Sequence, residues 1–202
     1  MGLRTLVKVS EINNLSDARY CAGMGVEMAG FIMQEGHSRY VSPDKIKDFA
    51  SWISGISLIG EFPGQVTTEE INAALEQLPL AGIQTSDLHL VQADPAIILI
   101  RTAEFSSGLT PGFLPLPQRE NEFLLLTSEK IQDALSYSAE LKALCAEYKV
   151  LLGFGLNNDN IDTLLSEIKP YGIALQGGDE VKPGMRDFAE LSELLELLET
   201  ED

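Results

Sequence analysis

Basic residues are scarce in this chain. Fourteen lysines and arginines face 31 aspartates and glutamates, a formal charge of −17 over 202 residues. Nucleic acid and acidic membrane surfaces both need a basic face that releases counterions, so neither is an expected partner. An anionic ligand would have to be held by local donors against the global field. Cysteine is limited to Cys21 and Cys145, far apart and without a CxxC neighbour, which excludes a disulfide framework and a zinc site. The histidines, His37 and His89, fall on separate loops without ligand spacing. No metal and no other cofactor is therefore expected, and reduced thiols fit a cytoplasmic setting. Long apolar runs are missing as well, and none approaches membrane-spanning length. The N-terminal MGLRTLVKVS has neither a signal-peptide apolar region nor the myristoylation pattern.

What is present is a hydrophobic content of 45%, enough for one sizeable core, with nothing resembling a linker. A single domain over residues 1–202 is expected. β-formers at 3–10 predict a first strand, and Ala18, Cys21, Ala22 and Met24 mark a helix over 16–25. Residues 28–33 read as a second strand, followed by a helix opened by Pro43 and striped with Ile46, Phe49, Ala50 and Ile53. A third strand over 56–60 precedes a helix over 68–77 with a capping signal at Thr67 to Glu70. Strands four, five and six are placed at 80–84, 96–102 and 123–127, and a long helical pattern at 130–148. Residues 85–95 are weakly periodic, and 103–120 carry three prolines and two glycines. The helices after strands four and five are therefore expected to be shortened or replaced by loops.

Two strand-to-helix joints close the chain. The apolar run 150–152 ends in Gly153, Gly155 and Asn157 before a helical pattern at Ile161, Leu164, Leu165 and Ile168, with Asn157 or Asn158 as its cap. The apolar run 171–175 ends in Gly177 and Gly178, then Pro183 and Gly184, before an acidic, leucine-rich helix. Glycine-lined loops beside helix starts offer N–H donors to an anion, and they equally well just terminate strands. Eight strands alternating with helices predict an α/β fold, a (β/α)8 or TIM barrel at the compact end of its size range, in which phosphate sites often form after strands seven and eight. An open doubly wound sheet would lack its GxGxxG fingerprint after strand one.

Three blocks then carry a family resemblance. Lys8 to Arg19, KVSEINNLSDAR, resembles the K-I-C-G-I-T-N-x-x-D-A pattern of phosphoribosylanthranilate isomerases, barrel enzymes of tryptophan biosynthesis that perform an Amadori rearrangement. SRYVSP at 38–43 is similar to that family's S-P-R-Y-V-S-P, and the C-terminal GLN, PYG and PG-x-x-D stand in the family's order. The resemblance implies one acid and one base on opposite sides of a ribosylamine. It puts the base, a cysteine in the family, at Ser10, and the acid, an aspartate, at Thr127. The glycine after that cysteine becomes Glu11, the strand-four histidine becomes Ser86, and the strand-eight aspartate becomes Ala174. A loop rich in glycine after strand six is here Ser128, Glu129 and Lys130. Arg39, assigned by the resemblance to the substrate's aromatic carboxylate, is kept, as are Gln84, Gly155, Asn157 and the pair Gly177 and Gly178.

The candidate residues are thus Ser10, Glu11 and Thr127 at the substituted catalytic positions, Lys8, Arg39 and Gln84 for substrate, and Gly155, Asn157, Gly177 and Gly178 for phosphate. Hydroxyls at 10 and 127 do not ionise usefully near neutral pH without a partner base. Lys8 needs a counter-charge, and Glu11, three residues on, is its expected partner in an ion pair at the barrel top. Arg39 serves either as an anion clamp or as a salt bridge holding its loop. Glu61 follows strand three, where barrels place reactive side chains. The leading expectation is a barrel of this family that binds a small anionic metabolite, phosphorylated or not, without efficient isomerase activity, as a monomer or homodimer. The alternatives are an active sugar-phosphate isomerase using Glu11 or Glu61, and a non-catalytic partner of a biosynthetic subunit.

Overall fold

A computed structural model describes residues 2–87, 94, 96–177, 180–182, 185–186 and 189–200. In chain order these form β1 (Leu6–Ser10), α1 (Leu15–Gly23), β2 (Met28–Ile32), α2 (Pro43–Trp52), β3 (Ser57–Phe62), α3 (Thr68–Gln77), β4 (Gly82–Thr85) and β5 (Ile98–Glu104). There follow β6 (Glu122–Thr127), α4 (Ser138–Glu147), β7 (Val150–Leu152), α5 (Ile161–Glu167), β8 (Gly172–Gln176), β9 (Glu180–Lys182), β10 (Met185–Arg186) and α6 (Ala189–Leu198). The first eight strands close into a barrel, all parallel, with β8 returning to β1 in a register from Leu6↔Gly172 to Ser10↔Gln176. β9 and β10 make a separate antiparallel ribbon. This is the (β/α)8 barrel expected from the alternation of elements. Among the described residues, no helix is long and apolar enough to cross a membrane.

The period of two along each strand divides the side chains between two environments. Val7, Val9, Ala29, Phe31, Leu58, Phe62, Ile83 and Leu99 pack outward under the helices, joined by Ile46 and Phe49 from α2. Met28, Ile59, Ile100, Phe123, Leu125, Leu151 and Ala174 form a separate cluster inside the barrel. Moving toward the C-terminal ends of the strands, the same inward parity turns polar, at Lys8, Ser10, Glu61, Gln84, Thr102, Thr127 and Gln176. The apolar filling holds the barrel shut, and the polar ends are delivered to its mouth.

Local chemistry sets the element ends. Thr67 and Glu70 make a reciprocal capping box at α3, and Pro43 opens α2 as expected. The first strand begins at Leu6 and not at Leu3, because Leu3 bridges antiparallel to Glu199 and Thr200 donates its N–H to Gly2 O. The chain ends are thereby paired with each other. The helix expected over 130–148 shortens to a 3-10 turn at Leu135–Tyr137 and α4. Ser128 Oγ accepts from Ile131 N, and Asp133 accepts from Leu135 N and the Ser136 hydroxyl, so side chains satisfy backbone donors that a helix would use. Between β5 and β6 the only helical piece described is a 3-10 turn, Pro111–Phe113. Asn157 does not cap α5: Asn160 holds that position, and Asn157 Oδ1 accepts from Asp159 N and Asn160 N in the preceding turn.

Candidate functional site

The polar strand ends surround a cavity of about 920 Å³ at the C-terminal mouth, lined by Ser10, Glu61, Gln84, Thr102 and Thr127, with Gly153 and Gly155 on its far wall. A second hollow of about 500 Å³ lies on the flank against α3, bordered by Met33, Tyr40 and Gln77. The mouth is the candidate site because inward polar groups from many strands converge there.

Beneath the mouth, Lys8 is 0% exposed and ion-paired with Glu61, itself 1% exposed. The sequence neighbour Glu11 is not the partner, as expected from spacing, because barrel closure brings β3 to Lys8 from inside. Lys8 Nζ also donates to Ser10 Oγ at 2.5 Å, and Glu61 Oε2 accepts from Glu11 N at 3.0 Å. Both charges of this pair are therefore met by each other and by further hydrogen bonds, as a buried ion pair requires. The strand between them contributes Gly30, where a Cβ would overlap Glu61 Oε1 and lie 2.9 Å from Lys8 Nζ. Sequence reasoning did not single out Gly30. Its signal was a glycine at an inward position of an otherwise apolar strand.

Glu11 has φ +59, the left-handed region where glycine is at ease and other residues pay about 1 kcal/mol or more. That matches the resemblance, which has glycine there. Its carboxylate meets Arg39, with Nε 3.3 Å from Glu11 Oε2. Arg39 Nη1 donates to Gly177 O at 3.0 Å, and Gly177 N donates to Ser10 O at 2.9 Å. Arg39 thus ties the loops after β1, β2 and β8 together.

Across the mouth, Gln84 Oε1 and Thr102 Oγ are buried and have no hydrogen-bond partner among the described residues. Thr102 stands near the C-terminal end of β5, and the sign of its role in the sequence is a threonine at inward parity. Thr127 lines the cavity opposite Ser10. Gly155 has φ +67, and a Cβ there would come within 2.7 Å of Ala134 N. Asn157 is exposed and donates its N–H to Asn160 Oδ1 at 3.0 Å. Gly178 and His89 lie outside the described residues. His37 Nδ1 accepts from Arg39 N, and no metal-holding cluster of His, Cys, Asp or Glu occurs among the described residues. Cys21 is fully buried, and burial pushes its thiol up to about 12; Cys145 is raised to about 11 for the same reason. Neither thiol is a nucleophile at neutral pH.

No protein-family model matches the chain. Individual proteins do. The N-(5'-phosphoribosyl)anthranilate isomerase of Aquifex aeolicus is 25% identical over 208 residues, covering 96% of this chain and 98% of its own. That of Gloeothece citriformis is 28% identical over 204 residues, covering 95% and 93%. Among solved structures, the phosphoribosyl anthranilate isomerase from Thermotoga maritima superposes with a TM-score of 0.75 at 18% identity, covering 95% of this chain and 97% of the other. With the motif blocks in order, the barrel closed and the similarity running nearly end to end, the chain is similar over almost its whole length to phosphoribosylanthranilate isomerases and shares their barrel fold.

Proposed function

We propose that this barrel binds a small anionic metabolite at its mouth and does not isomerise phosphoribosylanthranilate efficiently. The observation that carries this reading is the state of Ser10: the hydroxyl at the position of the family's base accepts a hydrogen bond from Lys8 Nζ. A hydroxyl held by a donor, next to an ammonium, is a poor proton acceptor. Thr127, at the position of the acid, has no ionisable group to offer. Glu61 is the carboxylate at depth, with one oxygen on Lys8 and the other on Glu11 N, which leaves it no free role. That the ligand is an anion, phosphorylated or not, is supported by Arg39 at the rim and by relatives named for a phosphorylated anthranilate riboside. The chain is taken to be one domain, a monomer or homodimer, and its free cysteines suit the cytoplasm.

A second reading keeps isomerisation with Glu61 as substitute base, acting through the bonded chain Glu61, Lys8 and Ser10 that ends at the cavity. Expression in a bacterial strain lacking its own isomerase and starved of tryptophan separates the two. Soluble protein without growth is the outcome expected. Growth that is lost in Glu61→Gln while that variant stays soluble and folded would establish the second reading. Co-purification with a biosynthetic subunit from the native host would favour the role of a non-catalytic partner.

A further inference from the structure

We infer that Glu11 is a built-in competitor for Arg39, and so a determinant of which anions the mouth admits. This rests on the reading of the ligand as an anion. Three carboxylates, Glu11, Glu61 and Glu129, line the cavity, and no lysine, arginine or histidine does so among the described residues. The ammonium of Lys8 is fully buried below and neutralised by Glu61. Arg39 reaches the rim from the loop after β2, but it stands behind Glu11, which lines the cavity while Arg39 does not. The two side chains are 26% and 18% exposed, so their contact is partly open to solvent.

A ligand carboxylate or phosphate offers the guanidinium the same kind of acceptor that the Glu11 head group already supplies. It reaches Arg39 by exchange, with the incoming anion seated and the Glu11 carboxylate released to water. The backbone is prepared for that exchange. Glu11 sits in the left-handed region, held by its N–H on Glu61 Oε2 at one end and by its carboxylate on Arg39 at the other. Strained non-glycine turns persist only where the surroundings hold them, and they gather at sites that move. Releasing the carboxylate removes one of the two restraints while leaving the anchored Lys8 and Glu61 pair untouched. The backbone bond from Gly177 to Ser10 O keeps the neighbouring loop in place during the change.

The test is an NMR titration of the purified full chain with inorganic phosphate at neutral pH and low salt. Four proteins are compared: wild type, Glu11→Gln, Glu129→Gln, and Glu11→Gln combined with Arg39→Gln. Glu11→Gln keeps the length of the side chain and the N–H bond to Glu61, so the turn is retained. Removing this charge from beside Arg39 is expected to tighten phosphate binding about fivefold or more, with shifts centred on Arg39 and Gly177. Glu129→Gln removes the same charge on the opposite side of the ring and should gain less than about twofold. Adding Arg39→Gln should abolish the gain. Equal gains in the two single variants, or a gain that survives loss of Arg39, would overturn the competitor role while leaving an anionic ligand in place. Absence of saturable phosphate binding in every variant would remove the anionic reading and this inference with it.

Discussion

Lys8 on β1 and Glu61 on β3 bond to each other inside the barrel although their strands are not neighbours. The contact is made across β2, at Gly30. Ala174 lies beside Lys8 in the register of β8 with β1, and it is the position where the family resemblance has an aspartate. The lysine's counter-charge thus comes from one side of β1 in this chain, while the other side carries a methyl group. A carboxylate on β3 meets the need that a carboxylate on β8 would have met, and it does so at a residue whose neighbour across the strand has no side chain.

Breaking that pair from one side leaves a bare charge in a dry interior. Glu61→Ala is expected to cost about 3–5 kcal/mol of unfolding free energy in urea denaturation. The double variant Lys8→Met, Glu61→Gln keeps an acceptor for Glu11 N and buries no charge, so it should lose much less. Equal losses in both would mean that shape, and not charge, holds the cluster together.

Gly30→Ala should destabilise the wild type by about 1–3 kcal/mol or more, since its methyl overlaps the Glu61 carboxylate. In a Glu61→Ala background that overlap is gone and only Lys8 Nζ, 2.9 Å from the added methyl, has to shift, so the same methyl should cost much less. The two substitutions are therefore expected to be strongly non-additive when measured as a double-mutant cycle. Simple additivity would place the glycine's importance elsewhere.

The barrel was legible because its evidence is local. Val7 and Val9 alternate with Lys8 and Ser10, Ile46 and Phe49 mark one face of α2, and Thr67 with Glu70 announces α3. The partner of Lys8 was not legible. Spacing offered Glu11, whereas the partner chosen lies 53 residues away and meets Lys8 only once the strands are in register. The same limit applies to Gly30 and Thr102, whose significance depends on which way a strand faces. The extent of α4 was misread for a different reason, since periodicity counts apolar residues and is blind to serine and aspartate side chains that take the backbone's donors. Family motifs located Ser10, Thr127 and Arg39. They could not say that Arg39 would be found holding Glu11.

Glu27 lies at the opposite end of the barrel from the mouth, where its carboxylate accepts from Val7 N. Burial raises its pKa above the ordinary 4.5, although that hydrogen bond opposes the rise. A raised carboxylate favours the folded state when protonated. Its contribution is fully present below pH 4.5 and is lost as pH climbs through the folded value. Glu27→Gln retains an acceptor for Val7 N and removes the charge. It should therefore raise the unfolding free energy at pH 7 by less than about 1 kcal/mol after allowance for solvent screening, seen as a higher melting temperature, and the advantage should disappear below about pH 4. An advantage that is independent of pH would assign the effect to packing.

Two left-handed positions give opposite expectations for exchanging glycine. Lys169 follows α5 with φ +56 and is exposed, so its side chain suffers the steric cost of that conformation without a packing return. Lys169→Gly should stabilise by about 0.5–1 kcal/mol, as glycine does after a helix end. Gly155 has the same sign of φ but faces Ala134 N within 2.7 Å of where a Cβ would stand. Gly155→Ala adds both strain and overlap, and a loss of about 1–3 kcal/mol is expected in denaturant titration. The second result bears on the site as well as the fold. If Gly155→Ala lowers stability and leaves phosphate affinity unchanged, this glycine serves the loop's approach to Ala134. If affinity falls with stability intact, its backbone belongs to the anion's binding surface.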